Sequence, residues 1–292
     1  MSERPITVLT GATSGLGVPL AAALAAAGHR LVLGARSSER AARAEDAIRG
    51  QVPRAQLCVL RLDLASLQSV RAFADALGNS RIDRLVLNAG LMTADRRLTE
   101  DHFETMLGTN LLGHAALLGH LRQRLEATDG SRVVVQSSEA HRHGSLDLND
   151  PMGERRFRGL GAYNASKLAI HVLAVELDRH WPVEFVVSQP GWVDSDLGRH
   201  ITGSLQRVAM TVGNRIVGQT PAEGARSAVR ATLDTNLPGA ATGRYVSPTR
   251  LGRLRGEPAV IAAHAKALDP ALGRAVLAMS ERFTGVGLVT AR

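Results

Sequence analysis

The sequence predicts a doubly wound α/β fold, a parallel sheet with helices on both faces. Short apolar runs alternate with longer stretches of helical periodicity through the first two-thirds of the chain. The runs are apolar along their whole length, as strands buried on both faces must be. No internal repeat, low-complexity tract or flexible linker interrupts the pattern, so residues 1–292 read as one domain.

The candidate strands follow in order: ITVLT (6–10), RLVLGA (30–35), QLCVLRL (56–62), RLVLN (84–88), RVVVQS (132–137) and EFVVSQ (184–189). Amphipathic stretches lie between them at about 16–27, 38–50, 66–78, 101–125 and 162–180. Right-handed crossovers through these helices produce the doubly wound arrangement. A helix at about 221–235 precedes a weak strand, GRYVSP (243–248), and the tail from Pro258 to about Phe283 reads as helical. Residues 196–218 follow the sixth strand directly. They mix apolar residues with Gly203, Gly213 and Gly218, and are expected to form a substrate lid, a rigid helix pair completing the core being the alternative.

Composition narrows the function classes. Aromatic residues make up only 3% of the chain, so the core must be aliphatic. The net charge is +8, and 33 of the 35 basic residues are Arg, scattered without a dense basic block. That argues against nucleic acid as a partner, while a diffuse positive field attracts a phosphorylated cofactor. The single cysteine, Cys58, sits in an apolar run and reads as a small buried side chain in a reducing compartment. No run is long enough to span a bilayer, and the strand pattern starts at once, without a signal sequence. A cytoplasmic protein without a membrane partner is expected.

The first strand ends in TGATSGLG and leads into a helix. A strand, a glycine-rich turn and a helix N-terminus bring backbone N–H groups and the helix dipole to a pyrophosphate. Gly11, Thr13, Ser14, Gly15, Leu16 and Gly17 are therefore candidate contacts for a dinucleotide in a Rossmann-type fold. An acid at the end of the second strand would hold the ribose 2′-hydroxyl of NAD. Here that strand ends in Ala35, followed by Arg36 and Ser37. A guanidinium without a carboxylate suits a 2′-phosphate, so the predicted cofactor is NADP(H).

Two tyrosines and two lysines occur in the chain, yet Tyr163 and Lys167 stand four residues apart in GAYNASKLAIHVLAVELDR. Helical spacing puts both on one face. An ammonium beside a phenol favours the phenolate and is expected to lower its pKa toward neutral, which suits proton exchange with an alcohol oxygen.

With these residues in view, the chain resembles the short-chain dehydrogenase/reductase family along nearly its whole length. The TGATSGLG loop, Asp63-Leu64 after the third strand, Asn88-Ala89-Gly90, Asn110, Ser137-Ser138, YNASK and Pro190-Gly191 occur in the family's order. The LGARS strand end, SSEAH, PGWVDSDLGRH and the tail SERFTGV are similar to the retinol-dehydrogenase-like branch. The resemblance implies that Tyr163 is the acid/base, that Lys167 holds the nicotinamide ribose and lowers the tyrosine pKa, and that Ser138 hydrogen-bonds the substrate oxygen. It further implies that Asn110 kinks its helix and supports a water beside Lys167. Asp63, Leu64, Asn88, Ala89, Gly90, Pro190, Gly191, Trp192, Val193 and Ser195 would join Tyr163 and Lys167 around the cofactor. Gln189 and Ser195 depart from the branch, which often has His and Thr there. The membrane-anchoring helix found in some retinol-type relatives is not expected here, so a membrane-bound retinoid role is not implied.

The implied activity is oxidoreduction between a carbonyl and an alcohol on a hydrophobic small molecule, by a possible homo-oligomer. A catalytically silent dinucleotide-binding scaffold, or an epimerase, dehydratase or double-bond reductase, would share these features. His141 and His143 lack a third ligand at metal spacing, so no metal is expected. His141 could line the substrate cleft, Trp192 could pack or touch the nicotinamide, and Met152, Leu205 and Met210 could make a greasy pocket.

Overall fold

The computed structural model describes residues 4–13, 15–193, 218–238 and 243–289. Eight strands form one sheet in the order β3-β2-β1-β4-β5-β6-β7-β8. They are β1 (Ile6–Thr10), β2 (Arg30–Ala35), β3 (Gln56–Arg61), β4 (Arg84–Leu87), β5 (Arg132–Gln136), β6 (Glu184–Ser188), β7 (Arg244–Arg250) and β8 (Arg255–Ile261). The first seven pair in parallel, and order reverses between β1 and β4, which opens a crevice at their carboxyl ends.

Strand periodicity divides the core. Leu9, Leu31, Leu33, Val86, Val134 and Val186 face α1 (Gly17–Ala26), α2 (Ser38–Gln51) and α7 (Pro221–Leu233). Their neighbours Val8, Val32, Leu85, Leu87, Val133 and Val135 face the other side. There they meet α3 (Leu67–Ala76), α5 (Gly113–Glu126), α6 (Gly159–Asp178) and α9 (Pro270–Thr284). Apolar residues on both sides of each strand are what a doubly covered sheet requires. Cys58 is only half-buried, contrary to expectation, because β3 is an edge strand with one neighbour.

The tail differs from its sequence reading. Residues 255–261 form a strand antiparallel to β7, and helix resumes only at α8 (Ala265–Leu268) and α9. Leu251, Gly252 and Arg253 turn the hairpin with φ of 48°, 65° and 72°. Gly256 and Pro258 obscured the strand signal, and Pro258 is tolerated because β8 is an edge. The stretch expected to be helical from residue 101 also starts later. Glu104 accepts hydrogen bonds from the N–H groups of Met106 (2.9 Å) and Leu107 (2.8 Å), which caps α4 (Thr105–Leu107). A π-helical turn, Gly108–Leu112, joins α4 to α5.

Arginines hold the amino edge of the sheet. Arg84 donates to the Thr232 carbonyl (3.0 Å), and Arg132 donates to those of Ala231 (2.8 Å) and Asp234 (2.7 Å). Carbonyls left over at the end of α7 thereby find charged donors, favoured by the helix dipole. Glu184 pairs with Arg132 at 2.6 Å and also with Arg244, which locks β5, β6 and β7 in register.

Three histidines lie deep in this largely aliphatic interior: His114, His141 and His171, at most 1% exposed. Burial lowers all three; His114 falls to about 3, and His171 drops well below the ordinary value of 6.5. In the unfolded chain each regains its ordinary value, so below about pH 6.5 the unfolded state binds more protons. Stability should therefore fall with decreasing pH, by about 1–1.5 kcal/mol per pH unit for each proton withheld. Burial pushes the Glu104 carboxyl the other way, but one raised carboxylate opposes three lowered histidines. Urea midpoints should drop clearly between pH 7.5 and pH 5; a flat profile would contradict neutral burial of the three rings.

Candidate active site

The carboxyl edge of the sheet gathers the predicted loop, strand ends and helix. After β1 the chain turns at Gly11 with φ of 65°, where a Cβ would come within 2.7 Å of the Ala89 Cα. Only glycine allows both that conformation and that approach. Thr10 fastens the same junction from below. Its hydroxyl accepts hydrogen bonds from the backbone N–H groups of Asn88 and Ala89, each at 3.0 Å. The Asn88 amide donates to the carbonyls of Thr10 and Gly11, both at 3.1 Å, so its nitrogen closes the β1–β4 crevice.

His114 extends this lattice. Its Nδ1 lies 3.3 Å from the Asn110 carbonyl, one helical turn earlier, and its Nε2 lies 3.1 Å from the Thr10 hydroxyl. A carbonyl only accepts, so Nδ1 carries the proton and Nε2 accepts from Thr10. The Asn110 side chain clamps the loop after β4. It accepts from the Leu91 N–H (2.9 Å), donates to the Leu91 carbonyl (3.0 Å), and donates to Ser166 Oγ (3.0 Å). Asn110 sits within the π turn, so the helix is widened at the residue that the resemblance expected to kink it.

Ser138, Tyr163 and Lys167 converge beside Asn110. The Ser138 hydroxyl lies close enough to Tyr163 to favour its phenolate. Lys167 Nζ lies 6.0 Å from the Tyr163 ring centroid and donates to the Gln136 carbonyl at 3.1 Å. Gly90 borders the ammonium so closely that a Cβ there would lie 2.9 Å from Nζ. Ser137 and Ser166 support the helix: Ser137 Oγ donates to the Lys167 carbonyl (2.9 Å), and Ser166 Oγ donates to that of Tyr163 (2.8 Å).

The electrostatics depart from expectation. Burial pushes the Tyr163 phenol up, an effect the Ser138 hydroxyl partly offsets. Burial also lowers Lys167 to about 8. The expected lowering of the phenol by the ammonium is therefore absent from the ligand-free chain. A dry site penalises phenolate and ammonium alike, and the ammonium lies over the ring at 6.0 Å.

The remaining predicted positions are distributed as follows. Arg36 is exposed just past the end of β2 and makes no ion pair among the described residues; Ser37 Oγ caps α2 by accepting from the Arg40 N–H (3.3 Å). Asp63 accepts from the Ala65 N–H (3.0 Å), while Leu64 packs its side chain into the core and leaves only backbone for a ligand. Leu16 and Val193 both reach Gly224 on α7. Gln189, the departure from the branch, is fully buried and ties three elements together. Its amide donates to Ser247 Oγ (2.7 Å) and the Arg253 carbonyl (2.9 Å), and its oxygen accepts from the Gly191 N–H (2.7 Å). Pro190 and Trp192 are anchored through backbone: the Trp192 N–H donates to Leu254 (2.7 Å), and Gln219 donates to the Pro190 carbonyl (2.7 Å). Thr13, Gly15 and Gly17 complete the turn. Ser14, Ser195, Leu205, Met210 and the expected lid, apart from Gly218, lie outside the described residues.

Two pocket assignments are corrected. His141 is 0% exposed and sits behind Ser138, so it does not line the cleft; His143 is exposed. Met152 is buried against Glu104, whose N–H lies 3.3 Å from its sulfur, and so packs rather than forming a pocket wall. Thr10, Gln136, Ser166 and His114 escaped the sequence reading. Of these only His114 had a usable signal, its position one helical turn after Asn110.

Comparison with known proteins agrees with this architecture. A family model described as short chain dehydrogenase matches residues 5–205. Retinol dehydrogenase 14 of Mus musculus is 34% identical over 295 residues, which cover 96% of this chain and 85% of its own. Polyprenol dehydrogenase of Mus musculus is 36% identical, with 97% and 84% covered. Among solved structures, an uncharacterized protein from Mycobacterium Paratuberculosis superposes with a TM-score of 0.80 at 32% identity, over 98% of this chain and 95% of that one. An alcohol dehydrogenase from Thermococcus sibiricus complexed with 5-hydroxy-NADP has a TM-score of 0.60 at 27% identity, with 78% and 89% covered. With its glycine turn, Asn88-Ala89-Gly90 junction and Tyr163–Lys167 helix on one sheet edge, the chain belongs to the short-chain dehydrogenase family.

Proposed function

We propose that this protein is an NADP(H)-dependent oxidoreductase that interconverts a carbonyl and an alcohol on a hydrophobic small molecule. The observation carrying this reading is the convergence of Asn110, Ser138, Tyr163 and Lys167 in one cluster beside the Gly11 turn. The names of the retinol and polyprenol dehydrogenases support an apolar substrate.

The residues present fit a dinucleotide. Gly11 and Gly90 let the backbone pack directly against Ala89 and Lys167, while at Gly15, with φ of 52°, a Cβ would meet nothing within 4 Å, so the turn keeps open space for a pyrophosphate. Arg36 is exposed and unpaired among the described residues, where a 2′-phosphate would need a guanidinium. The glycine turn from Gly11 to Gly17 would hold the pyrophosphate, and Lys167 the nicotinamide ribose. When bound, the nicotinamide supplies or accepts hydride.

The chain's own groups manage the oxygen. Ser138 Oγ accepts the Ala140 N–H at 3.2 Å, which leaves its proton to donate. In reduction, Ser138 and Tyr163 both donate hydrogen bonds to the carbonyl oxygen, and Tyr163 delivers its phenolic proton as charge builds there. In oxidation Tyr163 takes that proton back. A raised phenol pKa keeps Tyr163 protonated at neutral pH, ready for the reductive direction. Asn110 holds Leu91 and Ser166 so that Lys167 and Tyr163 keep their spacing.

Three outcomes test the reading. NADPH should bind tighter than NADH by about 10- to 100-fold, the equivalent of a charge-assisted contact of roughly 1.5–3 kcal/mol. Arg36→Ala should erase most of that difference; equal dissociation constants in the unmodified protein would refute the 2′-phosphate assignment. Tyr163→Phe should lower kcat on hydrophobic aldehydes and ketones by about 10²-fold or more while sparing NADPH affinity. A variant that keeps a tenth of the activity would rule out the acid/base role. NADPH affinity should also weaken above about pH 8, where the Lys167 ammonium loses its proton. Affinity constant from pH 7 to 10 would remove Lys167 from the ribose.

A further inference from the structure

We infer that His141 is a positioning residue that holds Ser138 in place beside Tyr163; the inference rests on the assignment of Ser138 and Tyr163 given above. His141 closes the short 3₁₀ turn Glu139–His143 that directly follows Ser138. Its Nδ1 lies 2.7 Å from the Ser138 carbonyl, and its backbone N–H donates to the same oxygen at 3.0 Å. Both lone pairs of that carbonyl are thus engaged by one residue. On its other side Ser138 caps the turn through Oγ, which accepts from the Ala140 N–H. The serine is gripped at backbone and side chain, and its remaining freedom is the direction of its proton.

The histidine is a poor choice for packing alone. It is 0% exposed, and its Nε2 finds no partner among the described residues. Beside it stands His171, also 0% exposed, with neither ring nitrogen partnered among the described residues and its ring centroid 4.7 Å away. Tyr245 packs edge-on at 5.4 Å and His264 at 6.3 Å. An apolar side chain would fill this space without stranding a polar atom, and a buried polar atom without a partner destabilises the fold. Among the described residues the side chain of His141 makes a single hydrogen bond, and that bond is to Ser138. A carbonyl partner requires the proton on Nδ1, which fixes the tautomer. No group of three or more His, Cys, Asp or Glu among the described residues is arranged to hold a metal, so coordination does not account for the cluster.

Stability and positioning then make opposite demands, and two variants separate them. His141→Leu removes the donor and the stranded Nε2 together. His141→Asn places an amide N–H where Nδ1 was and keeps a polar atom in the apolar space. The Leu variant should melt at or above the wild-type temperature yet lose the grip on Ser138. The Asn variant should melt lower and retain it.

The readout needs no substrate. The Ser138 hydroxyl favours the Tyr163 phenolate, so loosening Ser138 should move the tyrosinate midpoint above its wild-type position. Lys167, at about 8, is already neutral in that range, and burial holds Tyr245 far above it, so Tyr163 titrates alone. Tyrosinate absorbance is followed to about pH 11.5, with circular dichroism confirming that the fold persists. Histidine side-chain NMR at pH 7.5, with His141 assigned by loss of its signals in the Asn variant, reports the tautomer under mild conditions. The expected results are an Nδ1-protonated His141, a raised midpoint in His141→Leu and Ser138→Ala, and a near-normal midpoint in His141→Asn. If Ser138→Ala leaves the midpoint unmoved, the Ser138–Tyr163 assignment itself fails. If Ser138→Ala raises it while folded His141→Leu does not, or if Nε2 carries the proton, the positioning role of His141 is overturned. A midpoint raised equally in the Asn and Leu variants would likewise refute it, since the rescuing donor would have no effect.

Discussion

The hydroxyl of Thr10 is the point on which the site depends. It sits at the last residue of β1, accepts the backbone N–H groups of Asn88 and Ala89, and gives its own proton to His114. His114 passes the constraint to the Asn110 carbonyl, and Asn110 passes it to Leu91 and to Ser166 on α6. One continuous set of bonds therefore runs from the glycine turn, across the β1–β4 crevice, to Tyr163 and Lys167. Its central members Thr10, Asn110, His114 and Ser166 are buried and hydrogen-bonded, which makes the network rigid and expensive to break. The π turn at Gly108–Leu112 belongs to the same arrangement. It widens the helix where the Asn110 side chain leaves it to reach across to the loop after β4.

Around this network the dielectric matters more than pairwise charge. Lys167 and Tyr163 share a helix face, yet burial raises the phenol and lowers the ammonium. Two adjacent ionisable groups in a dry pocket first lose their charges; attraction between them counts only once both are ionised. The same low dielectric keeps His114 and His171 neutral and so fixes them as directional hydrogen-bonding or packing groups rather than cations. A positive field from the +8 chain remains at the surface, where Arg36 stands exposed at the carboxyl edge.

The other wall of the site depends on residues far apart in sequence. Gln189 at the end of β6 binds Ser247 on β7 and the Arg253 carbonyl in the β7–β8 turn. Gln219 binds the carbonyls of Pro190 (2.7 Å) and Leu254 (3.0 Å). Val193 and Gln219 pair as an isolated parallel bridge, so the chain leaves and rejoins the carboxyl edge at one place. The antiparallel β8 thus supports the Pro190–Gly191 segment through the hairpin that precedes it. A functional reading of the first two-thirds of the chain alone would miss that support.

How much the sequence determined can be argued from single elements. Strands β1 and β2 have the predicted limits, because uninterrupted β-branched and leucine runs between glycine and polar stops admit only a buried strand. Gly11, Asn88, Ser138, Tyr163 and Lys167 could be singled out because their chemistry depends on residue type at short spacing. Strand β8 could not, since Gly256 and Pro258 break the alternation and an edge strand is specified mainly by its partner. Nor could the half-burial of Cys58, which follows from the place of β3 in the sheet order. His141 shows the limit most clearly. Its position three residues after Ser138 suggested the cleft, whereas the 3₁₀ turn rotates its ring inward against His171 and Tyr245, residues 30 and 104 positions away. Local sequence determines which groups are available and which short elements carry them. Direction of burial, tautomer and pKa are set by the packing of distant segments, and only the tertiary structure decided those.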